Sequence, residues 1–308
     1  MTNGNGKRSP RGTVFPIVEA YGFPYDSTSP EALKTWEAQA CPFAGGTCEK
    51  QRQYGFGYCS VTYAAKWNNQ VQNTYAVCDH RLDGPPVKWA AHDYFGDAEA
   101  TLVPEVTVTD SPKLNIDFVA FAEGSQATKK YIAIETQAID LRGGGVGPAW
   151  RAWEAGDVAN WRSYFTEEAA RKGRKDTIDY GVNTGNVYKR LGTQVAVKGE
   201  YLKQIEVPLY VVMQQSILQQ LRSRVNFTPI QDGDQWDITF AGFEYTGAQE
   251  PNGQLKLERA EVVRTTLASY VEAMTSSGEG SALYDEFVAK VQKKLKTSSS
   301  QASLFPEL

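Results

Sequence analysis

The sequence predicts an α/β chain in which a mixed β-sheet is flanked by helices. Three runs rich in β-branched and aromatic residues, TLVPEVTVTD, KLNIDFVAFA and YIAIETQAID, follow one another between Thr101 and Asp140. Turn residues separate them, so they read as consecutive strands with an early antiparallel hairpin. Beyond them, helical stretches are mixed with short apolar runs such as VPLYVVM, which favours α/β or α+β over a doubly wound sheet. No apolar run approaches the roughly 18 residues of a membrane-spanning helix.

The 308 residues allow one large domain or two interlocked ones. A flexible basic arm is expected over residues 1–12, an N-terminal region holding all the cysteines over 13–98, a core over 99–298 and a frayed tail over 299–308. No apolar stretch follows the basic start, so a cytoplasmic protein with no membrane partner is expected. TVFPIVEAYGF is a short apolar segment, and Ser29 before Pro30 is an N-cap and first-turn pair that predicts a helix to about Ala40. The cysteine stretch to Cys78 is expected to be looped, and the polar DHRLDGPP leads out of it.

After the three strands, GPAWRAWEAGDVANWRSYFTEEAARKG has helical spacing with a break at Gly156. NVYKRLGTQVAVKGEYLKQ is helical with Gly192 inside it. VPLYVVM is a buried strand feeding the helix QQSILQQLRSR. WDITFAGFEYT and LKLERAEVVRT read as later strands, and TLASYVEAM and SALYDEFVAKVQKKLK as helices. There is no internal repeat.

The formal net charge of −4 argues against a protein that coats nucleic acid over its whole surface, but it leaves room for a local basic cleft. Only His80 and His92 occur, which excludes an HExxH zinc hydrolase and disfavours histidine triads. Carboxylates must then carry most acid, base or metal chemistry.

Cys41, Cys48, Cys59 and Cys78 are the only cysteines, separated by six, ten and eighteen residues. In a reducing compartment such a cluster points to a tetrathiolate zinc or iron site, structural because four thiolates leave no open position. Two disulfides and four unrelated buried thiols are the alternatives. Gly45, Gly46, Gly55 and Gly57 supply permissive backbone between the thiols. Lys50, Arg52, Lys66, Tyr54, Phe56 and Tyr58 either touch a DNA backbone or only surround the cluster.

If the hairpin turn is centred near Gln126, Asp117 lies opposite Glu135, with Cβ atoms about 4.5–5.5 Å apart. The strand period of two puts Gln137 on the face of Glu135, while Ile134 and Thr136 point away. Ile116 and Phe118 are expected to bury the side opposite Asp117. Facing carboxylates between apolar strands need a cation or a proton, and Mg²⁺ takes such oxygen ligands. Exposed carboxylates paired with nearby lysines are the alternative. Glu105 and Glu19 are weaker candidates for the same cation.

Asp117, then Glu135-Thr136-Gln137, resembles the PD-(D/E)XK nuclease motif. With IVEAYGFP, CPF at Cys41, CSV at Cys59, LVPEV, IDFV and IETQAIDLRG in this order, most of the chain is similar to the NotI-type restriction endonucleases, a group that includes EagI-like enzymes. The resemblance implies a restriction-endonuclease-like core and a prokaryotic type II site-specific deoxyribonuclease. It also implies a homodimer cutting double-stranded DNA at a GC-rich palindrome, with a cognate DNA methyltransferase protecting the host site. Asp117, Glu135 and Gln137 would be catalytic with Mg²⁺, and the four cysteines would hold iron. Glutamine replaces the lysine of the broader motif; it carries no charge but can orient water. Arg142, beside the glycines of LRGGGVG, and Arg151, Arg162, Lys189 and Arg190 are candidate DNA contacts. A repair or recombination nuclease and a non-catalytic DNA-binding protein remain the alternatives.

Overall fold

The computed structural model describes residues 14–64, 72–111, 113–123, 127, 129–143, 145–175, 178, 180–183, 187–231, 233–275 and 280–298. The expected arm and tail, Lys66 and Gln126 lie outside the described residues. The first part of the chain forms β1 (Ile17–Ala20), β2 (Phe23–Pro24), α1 (Pro30–Glu37), α2 (Glu49–Tyr54), β3 (Tyr58–Ala64), β4 (Gln72–Ala76), α3 (His80–Asp83) and α4 (Pro85–Phe95). The middle forms β5 (Thr101–Asp110), β6 (Lys113–Phe121), β7 (Tyr131–Gln137), β8 (Leu141–Gly143), α5 (Gly147–Glu154), α6 (Trp161–Arg171) and β9 (Tyr180–Val182). A π-helical turn (Val187–Gly192) then leads into α7 (Thr193–Gln204), β10 (Leu209–Gln214), α8 (Gln215–Arg222), β11 (Ile238–Gln249), β12 (Leu255–Thr265), α9 (Leu267–Thr275) and α10 (Gly280–Ser298).

The mixed sheet has six strands in the order β12-β11-β10-β7-β6-β5. β10 runs parallel to β7 and β11, and the other pairs are antiparallel. Every residue of β10 is buried, as a central parallel strand covered on both faces requires. Its Leu209, Val211 and Met213 pack on one face with Val195 and Leu202 of α7, Ile217 and Leu221 of α8, and Tyr270 of α9. Tyr210 and Val212 pack on the other face with Val87, Ala90 and Phe95 of α4. Each such aliphatic side chain contributes about 1.5–3 kcal/mol.

Local signals explain most boundaries. The Ser29 hydroxyl accepts the Ala32 N–H at 3.1 Å at the start of α1. That helix stops at Glu37, before the expected Ala40, because Gln39 turns left-handed (φ 47°) and Ala40 bridges to Thr47. Gly156 (φ 68°) lies in the break between α5 and α6. Gly192 does not interrupt its helix: its backbone is right-handed, and a Cβ there would lie 3.2 Å from Met274, so the position serves close packing.

The cysteine region departs from the looped expectation. Its residues form a four-stranded antiparallel sheet, order β2-β1-β3-β4, with α2 inserted, and DHRLDGPPVKWAAHDYF forms α3 and α4. The physical reason is shared burial: Ile17, Val61 and Tyr75 lie in the same apolar cluster as Trp150 and Val211. Gln214, at the end of β10, joins the sheets by accepting the Ala76 N–H at 2.6 Å and donating to the Thr74 carbonyl at 3.0 Å. The Ile139 N–H donates to the Ala76 carbonyl at 3.0 Å, so the end of β4 sits just past the end of β7. Among the described residues no helix is long and apolar enough to cross a membrane.

Candidate active site

The hairpin register follows the expected arithmetic: Phe118 pairs with Ile134, Val119 with Ala133, Ala120 with Ile132 and Phe121 with Tyr131. The ladder ends at Phe118–Ile134, one step short of Asp117 and Glu135, which are linked instead by a backbone-to-carboxylate hydrogen bond. Here β6 changes its packing. Ile116 belongs to the cluster with Ala133, whereas Phe118 joins the opposite cluster with Ile134, so the two neighbours of Asp117 do not bury one common side as expected. On β5, Glu105 faces this point with a left-handed backbone (φ 51°), between the pairs Pro104–Phe118 and Val106–Ile116. A non-glycine residue rarely adopts that conformation, and such local strain collects at functional sites.

The two carboxylates are tied to the strand backbone. Asp117 Oδ2 accepts the Thr136 N–H at 2.8 Å, and the Asp117 N–H donates to Glu135 Oε1 at 3.4 Å. Glu135 is only 8% exposed. Its other oxygen accepts from Lys198 Nζ at 2.5 Å. Burial, with Asp117 beside it, pushes the Glu135 carboxyl up to about 7 despite the lysine. Burial also raises Asp117, against the opposing pull of the Thr136 N–H and Lys198. The Gln137 amide donates to the Ala138 carbonyl at 2.6 Å.

These side chains line a cleft of about 750 Å³ whose far wall comes from the cysteine region. Glu49, Lys50, Asp79, His80 and Asp83 lie there, opposite Glu105, Asp117, Glu135 and Gln137, with Arg190, Gln194 and Lys198 closing one side. Asp83 bridges the walls: its Oδ1 lies 3.4 Å from Thr136 Oγ1 and its Oδ2 lies 2.6 Å from His80 Nδ1. Hydrogen bonding to Asp83 raises the His80 imidazole above its ordinary range. Asp79 accepts the Ala138 N–H at 3.4 Å.

Asp117, Glu135, Gln137, Glu105 and Arg190 are thus brought together. Glu19 is not. It is fully buried, paired with Arg81 Nε at 3.0 Å and accepting from the Tyr245 hydroxyl at 2.7 Å, so its charge is already compensated away from the cleft lining. Arg151 pairs with Glu168 at 3.0 Å, alongside Arg171 and Lys172, and Arg162 lies over the Trp161 ring; neither lines the cleft. Lys189 is exposed on the π-helical turn, and Arg142 pairs with Gly181 between β8 and β9. Lys198, Asp79, His80 and Asp83 were missed by sequence reasoning. A signal existed for Lys198: with Val195, Gly199 and Leu202 it forms the buried stripe of α7, where a lysine has no place without a partner.

All four cysteines are reduced and buried. Cys41 follows α1, Cys48 precedes α2, Cys59 is on β3 and Cys78 lies between β4 and α3. They are near enough to influence one another: Cys41 acts on both Cys59 and Cys78, and Cys48 on Cys41. Backbone N–H groups point at the sulfurs, from Ala44 to Cys41 at 3.4 Å, from Gly22 to Cys59 and from His80 to Cys78. Gly45, Gly46 and Gly55 all take positive φ, whereas Gly57 is needed for space, since a Cβ there would lie 2.3 Å from the Tyr21 ring. Buried thiols that accept N–H bonds are the donor type that a tetrathiolate site uses. Among the described residues no group of three or more His, Cys, Asp or Glu side chains holds a metal geometry as it stands.

Comparison with known proteins gives no matching family model and no matching curated protein.

Proposed function

We propose that the chain is a magnesium-dependent endonuclease of the PD-(D/E)XK type acting on double-stranded DNA, of the restriction kind and working as a homodimer on a short palindrome. The observation that carries this reading is the contact between Asp117, whose N–H donates to Glu135 Oε1 at 3.4 Å, and Glu135 in an open cleft that Gln137 also lines. Hard carboxylate oxygens in a cleft of this kind suit Mg²⁺. When bound, that ion supplies positive charge to the scissile phosphate and the attacking water. Asp117 and Glu135 would hold it, and Glu105 lies close enough in the register to assist. The Thr136 N–H fixes the Asp117 carboxylate, and Gln137 would orient water through its amide oxygen. Water adds to phosphorus, one P–O ester bond breaks, and the departing sugar oxygen takes a proton. The test is incubation of the purified chain with plasmid DNA and Mg²⁺, with EDTA and Ca²⁺ controls. Discrete fragments are expected. Tight DNA binding without cleavage would instead favour a non-catalytic DNA-binding protein, and structure-dependent nicking a repair nuclease.

Cys41, Cys48, Cys59 and Cys78 would hold one iron or zinc ion that braces the wall carrying Asp79, His80 and Asp83. Burial pushes the Cys78 thiol up to about 11 and also raises Cys41 and Cys59, so the metal-free thiols are protonated near neutrality. Metal loading is therefore expected to release the protons of these three thiols, and metal is expected to be lost as pH falls. Proton release on titrating metal into the reduced apoprotein checks this, and elemental analysis separates iron from zinc. Cys59→Ser is expected to bind little metal; unchanged metal content would remove the four-cysteine assignment.

A further inference from the structure

We propose that Lys198 supplies, from helix α7, the cation that the active-site strand lacks at Gln137, and so acts as a positioning residue for Glu135. This inference rests on the nuclease reading above. Gln137 carries no charge, and its amide nitrogen is engaged by the adjacent Ala138 carbonyl. Lys198 lines the same cleft as Asp117, Glu135 and Gln137, and its Nζ lies 2.5 Å from Glu135 Oε2. Both side chains are nearly enclosed, 11% and 10% exposed, so the pair is shielded from the screening that weakens surface ion pairs.

The helix holds this lysine firmly. Val195 and Leu202, on the same stripe, are embedded in the main apolar cluster. At Gly199 a Cβ would lie 2.8 Å from Leu267, so α7 is packed against α9 as closely as a helix allows. A shift or rotation of α7 that withdrew Lys198 from Glu135 would have to break that packing. An ammonium carries three donors, and among the described residues the bond to Glu135 is the one its side chain makes. The remaining donors suit a phosphate oxygen beside the carboxylates.

The test uses the full chain with Lys198→Met, with Lys198→Gln, which keeps a donor to Glu135 without the charge, and with Lys198→Met combined with Gln137→Lys. Single-turnover cleavage is compared with divalent-cation binding to the DNA-free protein, titrated calorimetrically with Ca²⁺. Removing the charge is expected to slow cleavage by about 100-fold, the scale of losing one fixed charge-stabilising donor. Measured at alkaline pH, where the Glu135 carboxyl stays ionised without its lysine, cation binding is expected to stay as tight or to tighten, because a competing positive charge has gone. The combined variant is expected to recover a large part of the lost rate. If Lys198→Met fails to fold, Lys198→Gln carries the same two expectations. Wild-type cleavage by Lys198→Gln overturns the proposal. So does joint loss of cleavage and cation binding with no recovery from Gln137→Lys, which would make Lys198 a structural support only. A wild-type chain that cuts no DNA overturns the nuclease reading itself, a separate result.

Discussion

Asp117→Ala and Glu135→Ala are each expected to lower single-turnover DNA cleavage by at least about a thousandfold, because charge neutralisation and water activation by a bound cation are worth several kcal/mol and each 1.36 kcal/mol is tenfold. DNA binding measured with Ca²⁺ in place of Mg²⁺ should change far less, since affinity for DNA comes mainly from phosphate contacts elsewhere. The two variants differ in their secondary effects. Removing Asp117 also frees the Thr136 N–H, whereas removing Glu135 leaves Lys198 buried without its partner. Glu135→Gln is therefore the better test of chemistry, and thermal unfolding of each variant separates loss of fold from loss of function. The pH dependence follows from the same carboxylate. Burial and Asp117 push Glu135 up to about 7, and a protonated carboxyl holds no cation. Cleavage at sub-saturating Mg²⁺ should then rise with pH through about 7. The midpoint should move to lower pH as Mg²⁺ increases, because cation and proton compete for one oxygen pair. A midpoint that ignores Mg²⁺ concentration would remove Glu135 from the cation site.

What could be read in the sequence was whatever depends on short-range pattern. The strands from Thr101 to Gln137 alternate or run apolar over lengths that admit few other conformations, and one turn position then fixes which residues face each other. That is why the pairing from Phe118–Ile134 to Phe121–Tyr131 could be derived, whereas the end of the ladder one step before Asp117 and Glu135 could not. The other wall of the cleft could not. Asp83 reaches Thr136 and Lys198 reaches Glu135 across separations of 53 and 63 residues, and these contacts depend on how α3 and α7 pack on the sheet. Glu19 shows the opposite failure: its sequence neighbourhood resembles that of any acidic strand residue, and only Arg81, 62 residues away, explains its burial. The four cysteines were legible as a cluster but not as part of a sheet, because β3 and β4 derive much of their burial from Trp150 and Val211, distant in the chain.

Arg81→Met is expected to destabilise the fold by about 3–5 kcal/mol, the range for removing one partner of a buried ion pair. Arg81 is 2% exposed and Glu19 0%, so neither charge can turn to water when the other is lost. Arg81 also donates to the Leu255 carbonyl and lies over the rings of Phe43 and Tyr245. One side chain therefore links α3, β1, β12 and the loop carrying Cys41. By the scaling for a chain of this length the melting temperature should fall by roughly 5–8 °C. Glu19→Met should cost a similar amount, since it strands Arg81 and deprives the Tyr245 hydroxyl of its acceptor. The double variant Glu19→Met, Arg81→Met is expected to recover much of the loss, because two apolar groups of comparable length leave no buried charge behind. Cleavage measured well below the melting temperature of that double variant then isolates geometry from stability. Arg81 lies on the same short helix as His80 and Asp83, so releasing it should loosen the Asp83–Thr136 contact and slow cleavage even where the fold has been restored. Full activity in a restored double variant would assign the buried pair to stability alone and detach it from the cleft.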